Sequence, residues 1–169
     1  VKVAVYESGI HQITYRELRR WGFSDPSAVT VFGYGGAMLP ETFSENDIDD
    51  LNQLPVIRTD SKILFYAQGP TSWSYNEKTK EYDHEQNTYS TAGYYFLTDS
   101  KNQSATIAER EGGQTTGLQD ITSFDEHAVY EQELYSPGST GRLFLGDDFR
   151  YTTSKSFTFE LPGVDNSSP

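Results

Sequence analysis

Apolar positions along this chain fall in short runs that either alternate with polar residues or cluster in fours, the spacing of strands rather than of helices. The stretch from Ile63 to Thr98 organises the rest. It opens with Ile63-Leu64-Phe65-Tyr66 and closes with Tyr94-Tyr95-Phe96-Leu97, two apolar runs bounded by Gly, Pro, Ser and Asp that predict buried strands. Between them lies an aromatic and polar insert, GPTSWSYNEKTKEYDHEQNTYSTAG, carrying Trp73, Tyr75, Tyr82, His84 and Tyr89. Trp73 and Tyr75 have the spacing to share one face of an extended segment, and Tyr82 and His84 share a face on the return. Asn76 to Lys80 reads as the polar tip of a hairpin, and Asn87 to Gly93 as turn chemistry leading into Tyr94.

Elsewhere the same periodicity predicts further strands. Val1, Val3 and Val5 alternate with Lys2, Ala4 and Tyr6, and Ser8-Gly9 ends or bends that strand. Val29 to Phe32 is a strand, and Val56-Ile57 begins an edge strand. Ala105, Ile107 and Glu109 share one side of a short strand. Ala128 to Leu134 alternates, Leu143 to Leu145 is a short apolar run, and Phe157, Phe159 and Leu161 alternate in a last strand. Glu111 to Gly117 is a loop, Ile121 to Phe124 leads into the Ala128 strand, and the final VDNSSP frays out. One helix stands out, over residues 15–21. Thr14 followed three residues later by Glu17 is a capping box, and Ile13 with Leu18 forms the matching staple. Arg19 and Arg20 suit the last turn, Gly22 supplies a left-handed stop, and Phe23 folds back on Leu18. Trp21 is read as the anchor of this helix in the core. The fold class predicted is α+β, mainly β: about eight to ten short antiparallel strands, sandwich or barrel-like, with one short helix. The expected division is a mainly-β domain over residues 1–155, then a final strand and the start of a linker over 156–169.

Composition narrows the picture. With 169 residues the chain suits one domain that needs no staple. Hydrophobic content is 35% and aromatic content 14%, so the core leans on Tyr and Phe, which favour pleated surfaces. The net charge of -12 repels phosphate backbones and excludes nucleic acid as the main partner. The absence of cysteine removes disulfides, thiolate metal sites and a Cys nucleophile together. No apolar run reaches the roughly 18 residues of a transmembrane segment, and no signal peptide pattern is present. Val1 enters directly into a strand pattern, as at a domain start.

Candidate chemistry is sparse. Gly33-Tyr34-Gly35-Gly36 fails as a dinucleotide fingerprint, because Met38 stands where the third glycine belongs and Pro40 interrupts any helix; a tight turn is the preferred reading. Asp47, Asp49 and Asp50 miss the EF-hand pattern at Leu51, which leaves a solvated acidic loop. His11, His84 and His127 show no metalloprotease spacing, and no metal or cofactor is expected. Asp83 and His84 are adjacent on a strand and point to opposite faces, which argues against a base with its orienting carboxylate. Ser139 lies in Gly138-Ser139-Thr140-Gly141, one residue short of a nucleophile elbow. Glu131 and Glu133 face the same way, more simply as a solvated strand face than as a glycosidase pair. The aromatic insert is the one candidate for recognition. Trp73, Tyr75, Tyr82, His84 and Tyr89 either stack on sugar rings or grip a peptide, or else close a core poor in aliphatic residues.

Three stretches carry a family likeness. VAVYESGIHQITYRELRRWGF, DPSAVTVFGYGGAMLPE and ILFYAQGPTSWSYNEKTKEYDHEQNTYSTAGYYFLT resemble the N-terminal region of the type IX secretion system sortase, the PorU family. ELYSPGSTGRLFLGDDF and FTFELPG are similar to the same region, and the order agrees over most of the chain. The resemblance implies an exported protein of a Gram-negative cell envelope, in the periplasm or at the outer-membrane surface. In that family a gingipain-like cysteine peptidase domain lies downstream and carries the catalytic Cys and His. None of those residues matches a position here. The resemblance therefore implies a non-catalytic leading module whose partners are the downstream peptidase domain of the same protein, the secretion machinery or cargo.

Overall fold

The computed structural model describes residues 1–42, 44, 50–99, 105, 107, 122, 126–161 and 163. Asp47 and Asp49 of the acidic stretch, Glu109, the loop from Glu111 to Gly117, most of Ile121 to Phe124, and the terminal VDNSSP lie outside the described residues. The chain divides into two compact units, Val1–Glu111 and Gly112–Pro169.

The first unit is a pair of antiparallel sheets with one core. One sheet has the order β1-β9-β3-β4, made of Lys2–Val5 (β1), Gly93–Thr98 (β9), Thr30–Gly33 (β3) and Gln53–Leu54 (β4). The other has the order β2-β6-β5, made of Gly9–Thr14 (β2), Lys62–Ala67 (β6) and Ile57–Arg58 (β5). A separate hairpin pairs Thr71–Asn76 (β7) with Glu81–Gln86 (β8). The mainly-β expectation therefore holds, with nine short strands, one helix and two 3-10 turns among the described residues.

Alternation decides what the core contains. Val5, Val31, Tyr95 and Leu97 face inward from the first sheet, and Ile13, Ile63, Phe65 and Ala67 from the second. Phe65 is sandwiched between the His11 ring at 6.2 Å and the Tyr95 ring at 6.0 Å. The two central apolar runs are thus buried on one face only, a correction to the buried strands expected. Tyr66, Tyr94 and Phe96 point outward and are exposed, because no second layer covers the outer faces among the described residues.

The helix, Tyr15–Arg20 (α1), carries the caps its sequence announces. The Glu17 amide donates to Thr14 Oγ1 at 3.2 Å and the Thr14 amide donates to Glu17 Oε2 at 2.8 Å. The Thr14 hydroxyl, donating to Glu17 Oε2 at 2.6 Å, and then the Thr14 amide hold the Glu17 carboxyl below its ordinary range. At the other end Phe23 N donates to Leu18 O at 3.1 Å and Gly22 N to Arg19 O at 3.1 Å, a Schellman stop with Gly22 at φ +99°. The anchor is Leu18, which is fully buried, with Ile13 and Phe23 beside it. Trp21 is instead 39% exposed, a correction to its expected place in the core: as the C-cap it lies one position past the buried stripe.

Two strands escape the periodicity. In β2 only Ile13 is buried, and in β4 only two residues pair, so neither leaves a run to detect. The second unit shows the converse. Ala128 to Leu134, Leu143 to Leu145 and Phe157 to Leu161 alternate in sequence but form no strand; one bridge joins Tyr135 to Leu145. Its two amide bonds measure 2.9 and 2.8 Å. Alternation supplies a face, but a strand also needs a neighbouring edge to bond, and among the described residues only that bridge provides one. Side chains hold this unit locally: the Tyr130 and Phe157 rings lie 4.1 Å apart, and Lys155, paired with Asp147, reaches both. No described helix is long and apolar enough to cross a membrane.

Candidate functional site

The β7–β8 hairpin carries four of the five aromatic candidates on one face. In its register Trp73 stands opposite His84 and Tyr75 opposite Tyr82. The ring centroids of each pair are 5.2 Å apart, tilted by 42° and 57° respectively, within the range of favourable edge-to-face contact. Tyr75 and Tyr82 are 47% and 50% exposed. The opposite face alternates with them and is polar: Ser72 against Glu85, Ser74 against Asp83, Asn76 against Glu81. Asp83 accepts a hydrogen bond from Asn76 Nδ2 at 3.1 Å on that face, so it does not orient the His84 ring behind it. The tip is the polar turn its sequence predicts. Asn76 Oδ1 accepts from Lys78 N at 3.1 Å, and Asn76 O accepts from Lys80 N at 2.8 Å.

Asn87 pins the base of the hairpin. Its amide nitrogen donates to Pro70 O at 2.9 Å, and its side chain donates to Gly36 O at 2.7 Å. Its Oδ1 accepts from Tyr89 N at 2.9 Å and Ser90 N at 3.1 Å, which builds the turn back into β9. Tyr89 therefore belongs to that turn and not to the ring ladder, although it too is exposed. The glycines of the family-like segments meet here. A Cβ on Gly36 would lie 2.6 Å from the Gly69 carbonyl, and one on Gly93 would lie 2.4 Å from Gln68 O. Gly33-Tyr34-Gly35-Gly36 is thus more than the tight turn expected: Gly35 turns at φ +93°, but Gly36 is there for close backbone approach. Nothing in the single sequence distinguished the two uses.

The remaining candidates form no catalytic constellation among the described residues. His11 Nε2 lies 3.0 Å from Glu7 O, His84 packs on Trp73, and His127 is exposed in the second unit. No group of three His, Asp or Glu side chains is placed to hold a metal among the described residues. Ser139 sits in a 3-10 turn, Pro137–Ser139. The Glu131 and Glu133 carboxyls do come together, but off any strand. Burial, then the Glu131 charge and a hydrogen bond with Glu131, raise the Glu133 carboxyl above its ordinary range.

Two comparisons with known proteins find no match: no family model matches the chain, and neither does any curated protein. A solved structure does. The crystal structure of dimeric latent PorU from Porphyromonas gingivalis is 45% identical over 88% of this chain, with a TM-score of 0.72. The chain spans only 14% of that protein. The likeness to the PorU family is therefore carried by fold as well as by sequence: this chain is homologous to one segment of PorU, the type IX secretion system sortase.

Proposed function

We propose that the chain is a non-catalytic module of an exported, PorU-like cysteine peptidase of the type IX secretion system. It packs on the catalytic domain or docks cargo for it, in the periplasm or at the outer-membrane surface. The observation that supports this reading is the outer face of the β2-β6-β5 sheet. Ile10, 69% exposed, stands directly opposite Tyr66, 57% exposed, and Ile57, 46% exposed, stands opposite Leu64. Gln12 and Lys62 share that face, with Lys62 Nζ donating to Gln12 Oε1 at 2.8 Å, but beside them Ile10, Tyr66, Leu64 and Ile57 form a contiguous apolar patch of the kind another body covers. Mixing the chain with the remainder of its parent protein tests the reading by calorimetry. The wild-type chain binds, and Ile10→Asp weakens binding by about tenfold or more, with an unchanged melting temperature because Ile10 contributes nothing to the core. Equal binding by the variant, or none by the wild type, overturns it.

A second reading has its own observation in the exposed ring ladder: a surface module that binds glycan or peptide. Here Trp73→Ala abolishes binding to a panel of oligosaccharides and peptides and leaves the melting temperature within a few degrees. A variant that melts far lower makes Trp73 a packing residue instead.

A further inference from the structure

Helix α1 carries three arginines, not all of which its own stability calls for. Arg16, Arg19 and Arg20 are spaced i, i+3 and i+4, so they share one face, and all three are exposed. That face lies opposite Leu18, which is fully buried. Arg19 and Arg20 suit the last turn, but Arg16 stands in the first, where a cation opposes the helix macrodipole. Arg16 and Arg20 are also a like-charge pair one turn apart, a spacing that weakens a helix. A helix of six residues has few hydrogen bonds to set against both effects. A local rule broken with no local compensation points to a surface that serves another purpose.

Among the described residues nothing bonds this face. Arg58 shows what a structural arginine does in this fold: its guanidinium donates to Ser27 O at 2.8 Å and to Val29 O at 2.7 Å. Arg16, Arg19 and Arg20 make no hydrogen bond or ion pair through their side chains with a described residue. The carboxylates whose charge reaches them, Glu17 and Asp25, are turned to caps. Glu17 Oε2 accepts from the Thr14 amide and hydroxyl, and Asp25 Oδ1 accepts from Ser27 N at 3.0 Å. Trp21 follows directly and is exposed. Arg and Trp are among the residue types that dominate the binding energy of protein interfaces.

We propose that the arginine face of α1 is a docking surface for a short acidic segment of a partner polypeptide. Asp or Glu side chains of that segment engage the guanidinium forks, and an apolar residue beside them meets the Trp21 ring. The net charge of -12 selects a short segment over an extended polyanion. An anionic membrane or a nucleic acid extends well past the screening length of about 8–10 Å and meets the repulsion of the whole chain. A segment of a few residues lying on α1 meets the three cations at closest range. The inference goes beyond docking through the Ile10 patch, and its test reads a different surface.

The probe is the blocked peptide Ac-Glu-Phe-Glu-Glu-NH2, titrated into the full chain at low salt with backbone amide shifts followed by nuclear magnetic resonance. The shifts concentrate at Tyr15 to Trp21, and binding weakens as salt is added. The double variant Arg16→Gln, Arg20→Gln binds roughly tenfold more weakly. It melts within a few degrees of the wild type, because neither side chain bonds anything described in the fold. The matched control, Lys78→Gln with Lys80→Gln at the hairpin tip, removes the same charge elsewhere and keeps wild-type binding. No shift at Tyr15 to Trp21, an equal loss in the control, or a double variant that binds as the wild type does each overturns the proposal. Vesicles of phosphatidylglycerol that bind the chain through the same arginines overturn it in favour of a membrane surface.

Discussion

Phe65→Ala is expected to cost the first unit about 3–5 kcal/mol of stability, the range for truncating a buried phenylalanine. Phe65 is 2% exposed and its ring lies between those of His11 and Tyr95, which come from β2 and from the opposite sheet. Neither neighbour is free to collapse into the space. His11 is tied to Glu7 O, and Tyr95 reaches across to the backbone of Gln68 through its hydroxyl. The cavity left behind therefore stays open, and its lost contacts add to the transfer term. Urea unfolding followed by far-ultraviolet circular dichroism measures the effect. A loss under about 1 kcal/mol, the size of a typical surface change, contradicts the central role given to this side chain.

Gly93→Ala comes next, with an expected loss of about 3 kcal/mol, the upper end of what overpacking costs. The new methyl would lie 2.4 Å from Gln68 O and 2.9 Å from Gly36 N. Both are backbone atoms, so no side chain can swing aside. Relief requires the segments at Gly36, Gly69 and Gly93 to separate, which pulls on the Asn87 bonds that seat the hairpin. The same variant should accordingly speed amide exchange at Asn87 as well as lower the midpoint. A loss under about 1 kcal/mol, the size of a typical surface change, would mean that the close approach at Gly93 is not what that glycine serves.

These two positions differ in how readable they were. Phe65 lies in an apolar run, so its membership of a strand was legible. That it faces inward and Tyr66 outward was not, since both are large and apolar and either could have faced the core. Gly93 looked like the end of a turn; its reason is a neighbour distant in sequence. The hairpin face was legible in full, because a period of two places Trp73 with Tyr75 and Tyr82 with His84 whatever surrounds them. Tyr89, by contrast, was grouped with them by composition and stands in a different turn.

What the sequence determined by itself was local. The capping box of Thr14 and Glu17, the glycine stop after α1, the polar tip at Asn76 and the alternation of each hairpin strand follow from neighbouring residues, where the governing contacts span a few positions. Tertiary structure decided the rest. It made Leu18 rather than Trp21 the helix anchor, covered one face of each central strand and left Ile10, Tyr66, Tyr94 and Phe96 outside. It also gave β2 and β4 partners that their own patterns did not demand, while the alternating runs of the second unit found only one bridge. The physical reason is the same in each case: periodicity fixes which side chains share a face, but burial and hydrogen bonding belong to the neighbour that the face or edge happens to meet.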